Sequence, residues 1–149
     1  MNLNKSELHH HCLQLLEEKV ELYRREVEAA QKAANAEGKS SVGDKYETTR
    51  AQMQGERDRQ AVMLAEAQKQ LDTLQQISTH TSPEVQVGAL VITSLALFYI
   101  AVSLGKVNFK EQEIQVISAQ SPMGQALLGH KTGDTVLFRN QKINILEVV

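Results

Sequence analysis

Two carboxylates before the middle of the chain have a spacing that could support chemistry. Asp44 and Glu47 are three positions apart, so both side chains can face the same way on a helix. Carboxylate oxygens are the ligands that hard divalent cations prefer, and Glu37 is a further acid nearby. A structural interpretation is also open, in which Asp44 is a helix N-cap and Glu47 its capping-box partner.

A second group of ligand-type residues is the run His-His-His-Cys at residues 9–12. Successive residues on a helix point about 100° apart, so only His9 and Cys12 could share a metal ion. Two ligands do not make a site, and we interpret the run as part helix surface and part helix seam. The sequence contains no Gly-x-Ser-x-Gly nucleophile motif and no nucleotide-binding motif.

Long helices must position these residues. Residues 1–78 hold three glycines and no proline, and they are rich in Glu, Gln, Lys, Arg and Ala. A heptad stripe runs through His9, Leu13, Leu16, Val20, Tyr23, Val27, Ala30 and Ala34. After a break that contains Gly38 and Gly43, a second stripe runs through Tyr46, Met53, Leu64, Ala67, Leu71 and Leu74. Two similar stripes separated by a short break predict an antiparallel coiled-coil hairpin over 1–78, each arm roughly 45 Å long.

The second half of the chain has a different composition. Residues 79–84 form a polar linker around Pro83, and 85–149 are rich in Val, Ile, Leu, Thr and Gly. The run Val87–Leu104 carries no charge and reaches the minimum length of a transmembrane helix. Its β-branched residues, and a possible reversal at Thr93-Ser94, favour two strands at about 87–93 and 96–104 instead. We expect a polar loop after Gly105-Lys106 and a further strand over 114–117.

The most specific local pattern is the stretch Ser118–Phe138. Ser121 is a predicted helix N-cap with Pro122 at the first helical position, and Gly129 is placed to end the helix in a left-handed conformation. A turn over 131–134 then leads to a strand beginning at Thr135. The sequence therefore predicts an α+β protein, with the hairpin followed by a small, mostly antiparallel β-rich domain that carries one short helix.

The string "SPMGQALLGHKTGDTVLF", followed by "INILEVV", resembles the C-terminal domain of the bacterial Gre transcript-cleavage factors. The family pattern is Ser-Pro, a short helix ending Ala-Leu-(Ile/Leu)-Gly, a Gly-Asp turn and two strands. Here "RNQK" replaces the family's Pro- and Gly-containing loop before the last strand, which shortens the final hairpin. The resemblance implies a fold like that of FK506-binding proteins, but the few aromatic residues do not suggest prolyl isomerase activity.

The resemblance also implies a function. Gre factors bind bacterial RNA polymerase, insert the hairpin into its secondary channel, and use acids at the tip to share a Mg²⁺ ion with the polymerase. The RNA 3′ end would then be met only within that complex. Asp44 and Glu47 are the candidate catalytic and metal-binding residues. If instead Tyr46 and Arg50 are matched to the family's tyrosine and basic residue, Lys39 and Val42 fall where the acidic pair belongs.

Composition limits the remaining classes of function. The formal net charge of −2 gives no global basic field, so we expect no independent nucleic-acid binding. Cys12 is the only cysteine, which fits a reducing, cytoplasmic location. We expect no cofactor of its own, no membrane association, and no enzyme activity beyond stimulating cleavage by the polymerase. The alternatives are a Gre-like inhibitor that occupies the channel without cleavage, and a structural coiled-coil adaptor.

Overall fold

The computed structural model describes the backbone of residues 3–37 and 43–149, and the side chains of 3–36 and 48–149. It confirms the α+β class: two long helices are followed by a six-stranded sheet with one short helix. The chain divides into two compact units. One contains Gln14–Leu71, and the other contains Met1–Leu13 together with Asp72–Val149. The proposed linker at 79–84 stays a prediction as a domain boundary.

Helices α1 (Lys5–Glu37) and α2 (Gly43–Gln75) form the predicted antiparallel pair. Leu16, Ala67 and Leu71 are buried in the unit that contains most of both helices. A cross-helix hydrogen bond joins the arms further along, where Arg57 Nη1 donates to Gln31 Oε1 at 2.8 Å. Tyr23 of α1 lines a small cavity together with Gln70 of α2. Earlier α1 residues thus lie beside later α2 residues, as an antiparallel hairpin requires.

The heptad stripe fails in the first turns of α1. The sequence places His9 and Leu13 in the seam, but the structure buries Leu8 and Cys12 completely and leaves His9 and Leu13 half-buried. The reason is that Met1–Leu13 belong to the same compact unit as the sheet. These turns therefore bury a face that suits the sheet rather than the partner helix.

The sheet has the order β3-β4-β2-β1-β6-β5, with β2 and β4 parallel and all other pairs antiparallel. Its strands are β1 (Leu90–Thr93), β2 (Leu97–Ala101), β3 (Gly105–Phe109), β4 (Gln112–Ser118), β5 (Thr135–Phe138) and β6 (Gln141–Val148). The uncharged run 87–104 therefore forms two strands with a turn at Ser94, as the β-branched residues predicted. None of the helices within the described residues is long and apolar enough to cross a membrane.

Strand β3 corrects the expectation of a polar loop after Gly105-Lys106. It pairs with β4 from Gly105↔Val116 to Phe109↔Gln112. Only Val107 is buried in it, and the polar–apolar alternation spans just the four residues 106–109, which is a short signal for a strand. The β3–β4 turn is made by Lys110 and Glu111, both with positive φ, which suits the twist of a two-residue hairpin.

The final hairpin is short, as the sequence predicted. Arg139 and Asn140 connect β5 to β6 with φ values of 51° and 64°. On one face of the sheet a core cluster includes Val91, Phe98 and Ile145, and the helix α3 (Pro122–Leu127) contributes Leu127 to it. This packing fixes α3 on the sheet.

Candidate functional site

Helix α3 is held at its start by the predicted cap. Ser121 Oγ accepts a hydrogen bond from Gly124 N at 3.0 Å and donates one to Ser118 O at 2.7 Å. Pro122 occupies the first turn, where its missing N–H costs nothing. Leu127 is fully buried, and Gly129 follows with a φ of 81°. The sequence-based interpretation of this stretch is therefore confirmed.

Gly124 has a role that the sequence did not reveal. A Cβ built on this residue would lie 2.2 Å from Ser118 O and 2.9 Å from Ser121 Oγ. Real atoms do not approach so closely, so a side chain here would force α3 away from the end of β4. A glycine at this position therefore sets how closely the helix lies against the strand.

Between α3 and the sheet lies an open cleft of about 540 Å³. Its walls come from β2, β3, β4, the start of α3 and the β5–β6 hairpin. The lining residues are Leu95, Ala96, Phe98, Lys106, Glu113, Gln115, Ile117, Ser121, Pro122, Met123, Phe138 and Arg139. The cleft combines an apolar floor with a polar rim, which is the usual composition of a recognition surface.

The rim carries charges of both signs. Lys106 Nζ and Glu113 Oε1 are 3.7 Å apart on neighbouring strands, and both side chains are more than half exposed. The Arg139 guanidinium lies 5.0 Å from the centre of the Phe138 ring, within the range of a cation–π contact. Exposed pairs of this kind contribute little to stability, so these charges are free to serve recognition.

The lining of the cleft has few groups that could act as an acid, a base or a nucleophile. Its twelve lining residues, all in the described part of the chain, include one carboxylate and neither histidine nor cysteine. The Ser121 hydroxyl is already used by the helix cap. Across residues with described side chains, no group of three or more His, Cys, Asp and Glu could hold a metal ion.

The tip acids chosen from the sequence lie outside the described side chains. Asp44 and Glu47 belong to the first two turns of α2, which begins at Gly43, and Glu37 is the last residue of α1. Asp44 thus follows the first helical residue rather than preceding the helix as its N-cap. The predicted catalytic and Mg²⁺-binding roles of Asp44 and Glu47 stay predictions.

A second set of contacts ties the start of α1 to the sheet unit. His9 Nδ1 lies 2.7 Å from the Tyr99 hydroxyl, and the His11 and Phe109 rings are 5.3 Å apart. Lys5 Nζ donates to the backbone oxygens of His80 at 3.1 Å and of Val149 at 3.0 Å. His9 and His11 of the His-His-His-Cys run therefore contact strands of the sheet unit, partners that the heptad pattern could not reveal.

Comparison with known proteins shows which family the C-terminal segment resembles. Residues 105–149 match the family described as "Transcription elongation factor, GreA/GreB, C-term". The C-terminal segment is similar to that of the Gre family. The matched range contains β3 to β6 and α3, together with nine of the twelve cleft residues. The resemblance drawn from the Ser-Pro motif is thus confirmed.

Several solved structures are similar to this chain. One is described as the structure of the transcription factor Gfh1, with 19% identity, a TM-score of 0.36, and coverage of 91% of this chain and 92% of that one. GreA factor homolog 1 (Gfh1) of Thermus thermophilus shares 17% identity with a TM-score of 0.34, over 92% and 94% of the two chains. Thermus aquaticus Gfh1 shares 20% identity with a TM-score of 0.31, over 91% and 92%. No curated protein sequence matches the chain.

Sequence reasoning identified Ser121 and Pro122 as a helix cap because the motif is local, but it did not predict a cleft. Lys106, Gln115 and Arg139 reach the cleft through the order of strands β3, β4 and β2 and through the last hairpin, which the sequence does not reveal. The alternation of β4, with Gln115 and Ile117 on one face, is the signal that could have indicated Gln115.

Proposed function

We propose that this protein is a Gre-type transcription elongation factor that binds bacterial RNA polymerase. The observation that carries the proposal is that the family-matched segment supplies both the capped helix α3 and nine of the twelve residues of the cleft. A conserved fold alone would not indicate a binding surface, whereas a matched segment that forms most of an open, apolar-floored cleft does.

In this proposal the cleft docks on the polymerase at the rim of its secondary channel. Phe98, Met123 and Phe138 would receive an apolar side chain of the polymerase, because they form the least polar part of the cleft. Lys106 and Arg139 would contact acidic residues of the polymerase. These contacts would set the orientation of the docked protein more than its affinity for the polymerase. Docking would leave the two-helix arm to enter the channel.

The arm would then act through its tip. Asp44 and Glu47 would help the polymerase hold a second Mg²⁺ beside the RNA 3′ end, so that the polymerase cleaves its own backtracked transcript. The protein would have no cofactor of its own, no membrane association and no enzyme activity apart from the polymerase, and it would work in the cytoplasm. If the tip lacks this chemistry, the same docking makes the protein a channel-blocking inhibitor.

Docking is tested with the full chain and purified bacterial core RNA polymerase in a direct binding assay. Met123→Glu places a charge in the apolar part of the cleft and should weaken binding at least tenfold, since desolvating a carboxylate costs more than 1.4 kcal/mol. The matched control is Leu137→Glu, because Leu137 is 66% exposed and does not line the cleft. It should bind like the parent.

One outcome would contradict the proposed function, and another would contradict only the proposed docking surface. If the parent chain does not bind the polymerase, the structural-adaptor alternative replaces the Gre-type function. If the parent binds and both variants bind equally well, the function stands but the cleft is not the docking surface.

A further inference from the structure

The middle of the two-helix arm contains polar residues where a coiled coil would have apolar ones. Gln31 of α1 meets Arg57 of α2 through the 2.8 Å hydrogen bond, and Arg57 also binds Asp58. Gln60, the next seam position, donates to Glu56 at 3.0 Å, but its own Oε1 is buried without a partner. We refer to Gln31, Arg57 and Gln60 as the polar layer. A buried acceptor without a hydrogen bond weakens the state that buries it.

Gly55 lies beside the polar layer in the interior of α2, and packing does not require a glycine there. A Cβ built on Gly55 would meet only Arg59 Nη1, at an ordinary 3.9 Å. Compared with alanine, glycine shifts the local equilibrium from helix to open chain by roughly fivefold. The helix is therefore weakest where its seam is also weakest.

Apolar burial differs on the two sides of this layer. Towards the open end of the arm, Leu16, Ala67 and Leu71 are buried. Towards the connected end, which leads to residues 38–42, Ala34 is the buried apolar residue among those whose side chains are described. Because a methyl group supplies much less hydrophobic stabilisation than leucine, the described residues on that side, 32–36 and 48–56, gain less from packing.

We propose that the polar layer divides the described part of the arm into two cooperative parts, and that residues 32–36 of α1 and 48–60 of α2 open together while the open end stays folded. The boundary lies at Gly55–Gln60 on α2 and near Gln31 on α1. Opening at this boundary removes the buried, unpaired oxygen of Gln60 and disrupts little apolar contact, so it costs less than unfolding the open end.

The test is hydrogen–deuterium exchange of the full chain, followed by mass spectrometry of peptides from α2. Amides of residues 48–60 should exchange at similar rates, at least tenfold faster than those of 64–74, with a step between the two groups. Gly55→Ala should slow exchange of 48–60 roughly fivefold and leave 64–74 unchanged. Gln60→Leu, which replaces the unpaired oxygen with an apolar side chain, should act in the same direction.

Thr73→Ala is the matched control. It also raises helix propensity, but Thr73 is an exposed position of α2 beyond the boundary. It should not change the exchange of 48–60. A smooth gradient of rates along α2, without a step, would mean simple fraying and would overturn the proposal. So would a Gly55→Ala variant whose residues 48–60 exchange as fast as those of the parent.

Discussion

The His9 imidazole and the Tyr99 hydroxyl lie 2.7 Å apart, joining the second turn of α1 to the middle strand β2. Tyr99 is fully buried, and burial raises the pKa of its hydroxyl. Because the hydroxyl stays neutral, it forms a hydrogen bond with neutral His9 through either tautomer. This contact makes the start of α1 part of the sheet's packing rather than a free arm.

The histidine should make stability depend on pH. Burial, with nearby His10 and Lys5, lowers the pKa of His9 below its usual value near 6.5. Below pH 6.5 the unfolded chain therefore binds this proton more readily than the folded chain, so the free energy of unfolding should fall as the pH falls. Above pH 6.5 His9 is mostly neutral in both states, so it no longer lowers the free energy of unfolding. Urea unfolding at pH 7.5, 6.5 and 5.5 measures the effect.

The matched comparison is between the parent and a His9→Gln variant. Both proteins contain the other four histidines, which are His10, His11, His80 and His130. Glutamine keeps a polar partner for Tyr99 without titrating. The difference in unfolding free energy between parent and variant should therefore shrink or change sign from pH 7.5 to 5.5. A difference that is constant over this range would show that His9 stays neutral or equally solvated in both states.

The single thiol should be protected by the fold. Burial raises the pKa of Cys12 to about 11, so little thiolate is present near neutral pH. We expect a disulfide reagent at pH 8 to react with the parent only as fast as the protein opens, and to react fully in urea. Ser6→Cys adds an exposed thiol on the same helix and should react at once. Equal rates for the two thiols would contradict the burial of Cys12.

Helix α3 offers a matched pair of neighbouring leucines. Leu127 is fully buried in the core, whereas Leu128 is 38% exposed. Leu127→Ala should lower the free energy of unfolding by roughly 2–5 kcal/mol, since it removes a core side chain and leaves a cavity. Leu128→Ala should change it by less than about 1 kcal/mol. Equal effects in thermal or urea unfolding would mean that α3 does not pack on the sheet as described.

Gly124 tests the approach of α3 to the end of β4. Gly124→Ala should destabilise the protein by about 1–3 kcal/mol, because the added methyl would meet the Ser118 carbonyl at 2.2 Å. Gly55→Ala is the control, since its methyl would make only an ordinary contact with Arg59 and alanine favours helix. The two glycine substitutions should therefore have opposite signs in urea unfolding. If Gly124→Ala is neutral, the close approach is not maintained in solution.

The tip acids are tested by function. Asp44→Asn with Glu47→Gln should abolish stimulated cleavage of 3′-labelled RNA in a backtracked complex, because amides lack the charge to hold a second Mg²⁺. Binding to the polymerase should be unchanged. Glu18→Gln with Glu66→Gln, two exposed acids along the arms, is the control and should cleave like the parent.

The results of the cleavage assay distinguish three cases. If the parent releases no short 3′ fragments, the protein is an inhibitor or competitor rather than a cleavage factor. If the parent and the tip variant cleave equally well, Asp44 and Glu47 are the wrong carboxylates, and Glu37 is the next candidate.

Local signals in the sequence predicted most of the fold. The structure has the Ser121–Pro122 cap, the left-handed Gly129 and strands β1 and β2 close to where they were expected. Each of these features is determined by residues that are near one another in the sequence. Strand β3 was missed because its polar–apolar alternation covers only four residues. The cleft was not predicted for a related reason: strands from separate parts of the chain form it, and their order is a tertiary property.

The burial of Cys12 in place of Leu13 has the same origin. A heptad assumes one partner helix along its whole length, whereas the first turns of α1 pack in the unit that contains the sheet. Cysteine is often buried as a small apolar side chain. The sequence did not indicate this for Cys12, because its neighbours in the run are histidines and suggested metal ligands.

The position of β6 inside the sheet affects how the protein must be made. Strand β1 pairs with β6, joining Val91 to Val148, so β1 has an unpaired edge until β6 has left the ribosome. That edge is the apolar segment Leu90–Thr93, fully buried in the finished fold. An open apolar edge can pair with another chain, so the interval before β6 arrives is when newly made molecules are most exposed to aggregation and most dependent on chaperones.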